Sequence, residues 1–343
     1  MWSIVKAKQQ PSRRRREKSA AKQNQADAVL AHARPVFSQT ISAVVRDLRR
    51  TSEALRGVAF VRRDVLSPVR QFLASHSDGF ACVHLIALGV GPFSRQESRS
   101  GFLQMALFLA MKRECESTLR KRPTPPDQVA STAPAWAPVE VPPGVKAVGP
   151  FCEELPALCT SFFDPMAGEF HAGCCEKLGV RMEKENHYGA YTPVDPHVLL
   201  IAYLPHLPWT LLRNFLVSNL LPRREFAAAG QVGQLRYTLV IGNDLRGRAP
   251  LTNDFMDTLI PYLRFNRLRV EPEGGNRQCV NEVEGPDGAT PGWPRGLSWN
   301  DVGCAFSESA VMQLNREREA ELSEALPRLR LPPLVRGGPE VLT

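Results

Sequence analysis

The chain has 343 residues, 43% of them hydrophobic and 23% charged, which is the composition of a protein that buries a sizeable core. Its formal net charge of +8 is concentrated in residues 1–22, where eight Lys and Arg residues accompany a single acid, so the remainder lacks the excess charge of a duplex-binding domain. No run reaches the ~18 consecutive apolar residues of a membrane span, and no apolar stretch follows the basic run as it would in a secretory signal.

Residues 1–25 are predicted to form a disordered basic arm, because a basic run with few apolar neighbours cannot pack. Three roles stay open for Arg13–Arg16: a nuclear import signal, a weak contact with nucleic acid, or a tail that aids solubility. The missing secretory signal predicts residence in the cytoplasm, the nucleus or both. The eight cysteines are then expected to be reduced thiols, and no C-x-x-C pair predicts a metal site.

The elements that follow the arm predict the opening of an α/β domain. Residues 26–69 have the apolar spacing of amphipathic helices. Cys82–Leu88 is a short apolar run that stops at glycine, as a buried strand does, and Ser98–Glu116 has the apolar face of a long helix. A strand, a glycine turn and a helix in this order begin a βα unit.

Residues 122–156 differ in kind, with nine prolines and almost no periodicity. Proline fixes φ and removes a hydrogen-bond donor, so this segment is predicted to form neither helix nor sheet. We interpret it as a flexible loop inserted into a single domain that spans residues 70–306.

Strands and helices then alternate again, and apolar strands between amphipathic helices predict a mainly parallel sheet covered on both faces. The sequence therefore predicts a Rossmann-like, doubly wound fold of three layers. A short last strand is expected over Val302–Phe306, followed by a charged helix over Ser307–Leu326 and a tail, within residues 307–343. The intervening elements are predicted as strands Thr160–Phe163, Val198–Leu204 and Tyr237–Ile241, and helices Ala167–Leu178, Trp209–Leu220 and Asn253–Leu263.

Polar and glycine residues follow three of these strands, at the edge where open parallel sheets bind ligands. Gly89-x-Gly91 predicts either a close approach to an anion or a tight turn that needs glycine geometry. Asp164 could hold a ribose, or could cap the next helix with Pro165 at its first position. His206 could act as a base or ligand, or be a hydrogen-bonded loop residue.

Six segments in order resemble the sensitivity-to-red-light-reduced (SRR-like) family. These are Ala87–Ser94 (ALGVGPFS), Phe162–Phe170 (FFDPMAGEF), Gly179-Val180, Tyr203–Pro208 (YLPHLP), Val240–Leu245 (VIGNDL) and Trp299–Phe306 (WNDVGCAF). The tryptophan and basic run of Trp2–Arg16 are similar to the family's N-terminus as well.

This resemblance implies a regulatory protein of circadian clock input or of haem biosynthesis, present in cytoplasm and nucleus and acting through a protein partner. The family's cysteine after the Pro-His pair is Leu207 here, and its histidine in the last motif is Ala305, which argues against bound haem. No catalytic residue is predicted. The positions expected to contribute to a shared pocket are Gly89, Gly91, Ser94, Asp164, Pro205, His206, Gly242, Asn243 and Asp301.

Two hypotheses about function follow. One is a regulator without catalysis, gated by a small ligand and bound to a protein partner, with nucleic acid contacted weakly at most by the arm and no membrane involved. The other is an enzyme or sensor that binds a nucleotide or an S-adenosylmethionine-like ligand where the strand ends converge.

Overall fold

The computed structural model shows an α/β fold within Ile41–Thr343, the larger of two compact units into which the chain divides. The predicted basic arm, the proline-rich segment 122–156 and the last residues of the tail lie outside the described residues. Those described are 39–76, 80, 82–121, 157–193, 197–220, 232–247, 255–270 and 297–336.

Seven strands form one sheet in the order β3-β2-β1-β4-β5-β7-β6. All neighbouring pairs are parallel except those that β7 makes, because β7 runs antiparallel to both β5 and β6. The predicted, mainly parallel sheet is thus confirmed. The strands are β1 (Cys82–Leu88), β2 (Ala157–Phe163), β3 (Arg181–Met182), β4 (Val198–Leu204), β5 (Thr238–Asn243), β6 (Leu263–Arg267) and β7 (Ser309–Leu314).

Helices cover both faces of this sheet, which gives the three predicted layers. One apolar core joins the sheet to α1, α2, α3, α4 and α7, and a second core on the other face joins it to α5, α6 and α8. None of the described helices is long and apolar enough to cross a membrane. The helices are α1 (Ile41–Gly57), α2 (Ser67–Ser75), α3 (Arg99–Arg120), α4 (Glu169–Leu178), α5 (Trp209–Leu220), α6 (Phe255–Leu259), α7 (Trp299–Phe306) and α8 (Glu319–Ala325).

Local chemistry explains where the helices next to the site begin and end. The Ser98 side chain caps α3 by accepting a hydrogen bond from the Gly101 amide at 2.9 Å. Helix α4 stops at Gly179, whose φ of 63° is left-handed, so the predicted glycine stop is confirmed. The long α3 is buried along almost its whole length.

The last strand is predicted too early in the chain. Residues Val302–Phe306 belong to helix α7, the strand follows at Ser309–Leu314, and the charged helix predicted over Ser307–Leu326 is reduced to α8 at Glu319–Ala325. Ser298 and Asp301 form a capping box that starts α7, and its buried residues Val302, Ala305 and Phe306 have helical spacing. The sequence-based interpretation mistook this short helical stripe for a strand.

Two short strands were not predicted. Strand β6 occupies the end of the expected helix Asn253–Leu263, because Pro261 allows only a short helical turn after α6. Strand β3 has two residues and pairs with the end of β2. Several boundaries also move. Strand β2 begins at Ala157, three residues before the predicted start, α4 begins at Glu169 rather than Ala167, and α3 and β5 extend to Arg120 and Asn243.

Candidate functional site

The carboxyl ends of β1, β2 and β4 converge on one cavity of about 390 Å³. Strand β1 lies between β2 and β4, so the chain winds outward in both directions from it, and a crevice forms outside the strand ends at that point. Four of the nine predicted positions line this cavity: Gly89, Gly91, Asp164 and His206. We call it the rim cavity.

The β1–α3 turn is tied to Asp164 at the end of β2. Gly89 and Gly91 both have left-handed φ values, 70° and 78°, which their lack of a Cβ permits. The Gly91 amide donates to Oδ2 of Asp164 at 2.7 Å, and the Met166 amide donates to Oδ1 at 2.8 Å. Burial raises the pKa of Asp164, although these two hydrogen bonds and nearby His171 act in the opposite direction.

These contacts exclude one of the two alternatives left open for Asp164 and occupy the Gly91 amide. Asp164 does not cap α4, because that helix starts at Glu169 with Gly168 as its cap, so the capping interpretation is wrong. The Gly91 amide already donates its hydrogen bond to the Asp164 carboxylate, and Pro92 has no N–H to offer a ligand. The β1–α3 turn therefore does not present a row of free amides to the rim cavity, whose lining includes the Asp164 carboxylate from the end of β2.

His206 stands at the mouth of the rim cavity in a left-handed conformation, with a φ of 51°. Its amide donates to Oδ1 of Asn243 at 3.0 Å, and its Nε2 lies 3.2 Å from the carbonyl oxygen of Ala305. Nε2 must carry the proton in that contact, because a carbonyl only accepts. The histidine is exposed and is hydrogen-bonded as the loop interpretation expects.

Three predicted residues at the ends of β4 and β5 lie outside the lining of the rim cavity but pack next to it: Pro205, Gly242 and Asn243. A Cβ on Gly242 would lie 2.6 Å from the Leu204 carbonyl oxygen, so glycine lets β5 approach β4 closely. Asn243 holds the Pro205–Pro208 turn at two points, since its Nδ2 also donates to the Leu207 carbonyl at 3.0 Å. Asn243 lines a neighbouring cavity together with Arg267, and Pro205 is buried outside both linings.

Ser94 is buried beneath the turn rather than on the rim cavity. Its hydroxyl donates to Oε2 of Glu97 at 2.7 Å, and His171 on α4 reaches the same oxygen at 3.0 Å. The Gly168 amide donates to Nδ1 of His171, so Nε2 carries the proton that Glu97 accepts. This network joins the start of α3 to the start of α4 and supports the cavity wall.

Asp301 lies apart from the rim cavity, in the first turn of α7. Both the Ser298 amide and its hydroxyl donate to Oδ2 of Asp301, each at 2.8 Å, and Arg99 approaches Oδ1 at 3.5 Å. Although burial acts to raise the pKa of Asp301, these hydrogen bonds and the Arg99 charge lower it. Asp301 thus positions α7 against α3.

Sequence reasoning missed several lining residues of the rim cavity. Gln104 is 2% exposed on an otherwise apolar face of α3, and its amide donates to Ser100 and to Ala305. A polar residue on such a face is a signal that the sequence offered. Met166 is 63% exposed at the mouth. The remaining unpredicted polar or glycine lining residues are Ser98, Ser100, Gly101, Asn186, Gly189 and Tyr191.

The charge of the rim cavity is negative. Asp164 is the one carboxylate among its described lining residues, and neither lysine nor arginine contributes to that lining. A phosphorylated ligand would meet no cation there, whereas a neutral or cationic group would find a buried acceptor. Across the described part of the chain, no group of three or more His, Cys, Asp or Glu side chains is arranged to hold a metal ion.

Comparison with known proteins gives one match. The SRR1 domain matches residues 69–266, which is more than half of the chain and includes β1, β2, β4, β5 and the glycine turn. No curated protein and no solved structure matches the chain. Because this match covers more than half of the chain, the chain belongs to the SRR1 domain family.

Proposed function

We propose that this chain is a non-catalytic regulator whose α/β domain binds a small ligand in the rim cavity and contacts a protein partner. Its resemblance to SRR-like proteins supports a role in circadian clock input or in the regulation of haem biosynthesis. The ligand would fix the β1–α3 turn and the mouth around His206 in one arrangement, so that the partner recognises the occupied state.

One observation supports binding without reaction. The titratable side chains of the described rim are engaged by the protein itself, because two amides bind the Asp164 carboxylate and His206 faces the Ala305 carbonyl. General acid–base work needs a group within hydrogen-bond reach of the proton that it moves. A ligand in this cavity would meet groups that position it rather than groups that attack it.

A second candidate function is an enzyme or sensor that uses an S-adenosylmethionine-like ligand. The lining of the rim cavity favours this ligand over nucleotides, since the ionised Asp164 carboxylate would pair with a sulfonium or ammonium group and would repel phosphate. The cavity volume of about 390 Å³ lies within the range of small-ligand sites.

A thermal-shift panel separates the two functions. Purified full-length protein is screened with S-adenosylmethionine, S-adenosylhomocysteine, adenosine, ATP and haem. We expect adenosine-type ligands without phosphate to raise the melting temperature by several degrees, and Asp164→Ala to abolish the shift while its circular dichroism stays native. Turnover of S-adenosylmethionine by the wild-type protein would favour the enzyme. A shift with ATP or haem alone would contradict the proposed ligand chemistry.

We propose separately that the basic arm directs the protein into the nucleus. Its four consecutive arginines, Arg13–Arg16, have the composition of an import signal. Residues 1–25 fused to a neutral reporter are expected to concentrate it in nuclei, and the same fusion with Arg13–Arg16 changed to glutamine is expected to spread evenly. An even distribution of both fusions would contradict nuclear import and leave a weak contact with nucleic acid or an aid to solubility as the role of the arm.

A further inference from the structure

A second cavity of about 470 Å³ opens at the opposite, amino edge of the parallel strands. It lies between the end of α2 and the segment where β5 and β6 begin and β7 ends. Arg264 and Gln313 are paired in the β6–β7 ladder and both line it, so its floor is the sheet itself. We call it the edge cavity.

The lining of the edge cavity is cationic, in contrast to the rim cavity. Arg236, Arg264 and Arg316 contribute to it, and Glu317 is the one acid in its described lining. Arg236 is partly neutralised by Glu319 at 3.2 Å. Within the described residues, no carboxylate lies within ion-pair distance of Arg264 or Arg316, so their charge is available to a ligand.

An aromatic cluster fixes the position of Arg316. The His76 ring is tilted against the ring of Phe72, with 4.6 Å between their centroids, and packs edge-on against Tyr237. Its Nδ1 donates to the Phe72 carbonyl at 2.8 Å, which leaves Nε2 to accept a hydrogen bond from Arg316. Burial lowers the pKa of His76, and the charges of Arg316 and Arg236 lower it further although the hydrogen bond to the Phe72 carbonyl acts in the opposite direction, so the neutral imidazole that can accept from Arg316 is favoured.

We infer that the edge cavity binds a small ligand through its phosphate group. Guanidinium groups bind phosphate oxygens in pairs of parallel hydrogen bonds, and Arg264 and Arg316 approach the cavity from its sheet side and from the end of β7. The side-chain amides of Gln71, Asn266 and Gln313 add neutral donors to the same lining. The volume admits a group as large as a nucleotide.

Calorimetry on the full chain tests this inference with two probes, inorganic pyrophosphate and ATP. We expect saturable binding of pyrophosphate at low ionic strength and a loss of about tenfold or more in affinity for Arg264→Gln, which removes one charge-assisted contact. Tighter binding of ATP than of pyrophosphate would identify a nucleotide as the ligand, and equal binding would identify the phosphate group alone.

Arg267→Gln is the matched control, because Arg267 is exposed on the same strand but lines the cavity next to Asn243. Arg267→Gln should leave the affinity for pyrophosphate within about twofold of the wild type. Arg267 does not line the edge cavity, and salt screens the attraction between a bound anion and an exposed charge outside its site. Equal losses in both variants would mean diffuse attraction and overturn the inference. So would binding of an acidic peptide but of neither phosphate probe, or a loss of pyrophosphate binding in Asp164→Ala alone, which would move the phosphate to the rim cavity.

Discussion

Gly101→Ala is expected to lower the free energy of unfolding by about 3 kcal/mol and to deform the rim cavity. A Cβ on Gly101 would lie 2.2 Å from the carbonyl oxygen of Pro92 and 3.0 Å from that of Val90. Both are backbone atoms of the β1–α3 turn, so the turn itself must move away from α3. Urea denaturation measures the loss, and ligand shifts in the thermal panel should disappear with it.

Gly303→Ala is the matched control for this substitution. Gly303 is also in a helix, α7, but a Cβ there would meet no atom within 4 Å. Alanine is the better helix former by roughly 0.8–1 kcal/mol, so this variant should be slightly more stable than the wild type. If Gly101→Ala were as stable as Gly303→Ala, the turn would not pack on α3 as described.

Removing the Asp164 carboxylate is expected to cost about 2 kcal/mol at neutral pH, because Asp164→Ala removes the two hydrogen bonds that the Gly91 and Met166 amides donate to a charged group.

The stability contributed by Asp164 should also depend on pH, with a definite sign. Burial raises the pKa of Asp164 above its usual 3.8, so the ionised carboxylate is disfavoured in the folded state. The stability of the wild type relative to Asp164→Asn should therefore rise as the pH falls through the folded pKa toward 3.8.

Asp64 should show the opposite dependence of stability on pH. Although burial acts to raise its pKa, hydrogen bonds from Arg63 at 2.7 and 2.8 Å and from the Arg269 amide at 2.9 Å lower it. The advantage of the wild type over Asp64→Asn should be present above pH 3.8 and be lost as the pH falls through the folded pKa. Denaturation of the wild type and both Asn variants between about pH 7 and pH 2 checks both signs. Stability differences that change with pH in the same direction for Asp164 and Asp64 would contradict the two environments.

The sequence was sufficient to predict the parallel part of the sheet. Val198–Leu204 is buried at every position and Cys82–Leu88 at most, so their continuous apolar runs could only be strands between two helical layers. The last third was harder, because α7 and β7 are both short and apolar and differ only in the spacing of their buried residues. Periodicity over so few residues does not separate a helix from a strand.

The site was predicted in part, for a physical reason. Residues at the carboxyl ends of neighbouring strands had to meet, so Gly89, Gly91, Asp164 and His206 share the rim cavity. Sequence alone could not separate residues that line this cavity from residues that hold its wall. Asn243 and Ser94 have the polar side chains of a binding site, yet both are used in hydrogen bonds that fix the turns.

The two departures from the family's pattern lie at this same site. Leu207 lines the rim cavity and packs beneath Gly89. The carbonyl oxygen of Ala305 accepts hydrogen bonds from both His206 and Gln104. A cysteine and a histidine at these positions would both stand close to the rim cavity. Their replacement by apolar residues supports a ligand in this chain that is held by Asp164 and by shape, rather than by thiolate or imidazole ligation.

Hydrogen–deuterium exchange of the full chain, with and without the ligand that the thermal panel selects, tests most directly whether the rim cavity is the binding site. Slower exchange is predicted in three segments that line it, residues 88–92, 163–167 and 186–191, with no change at 264–266 on β6. Protection that spares the glycine turn and Asp164 while covering β6 and the end of β7 would show that the ligand binds at the other edge of the sheet.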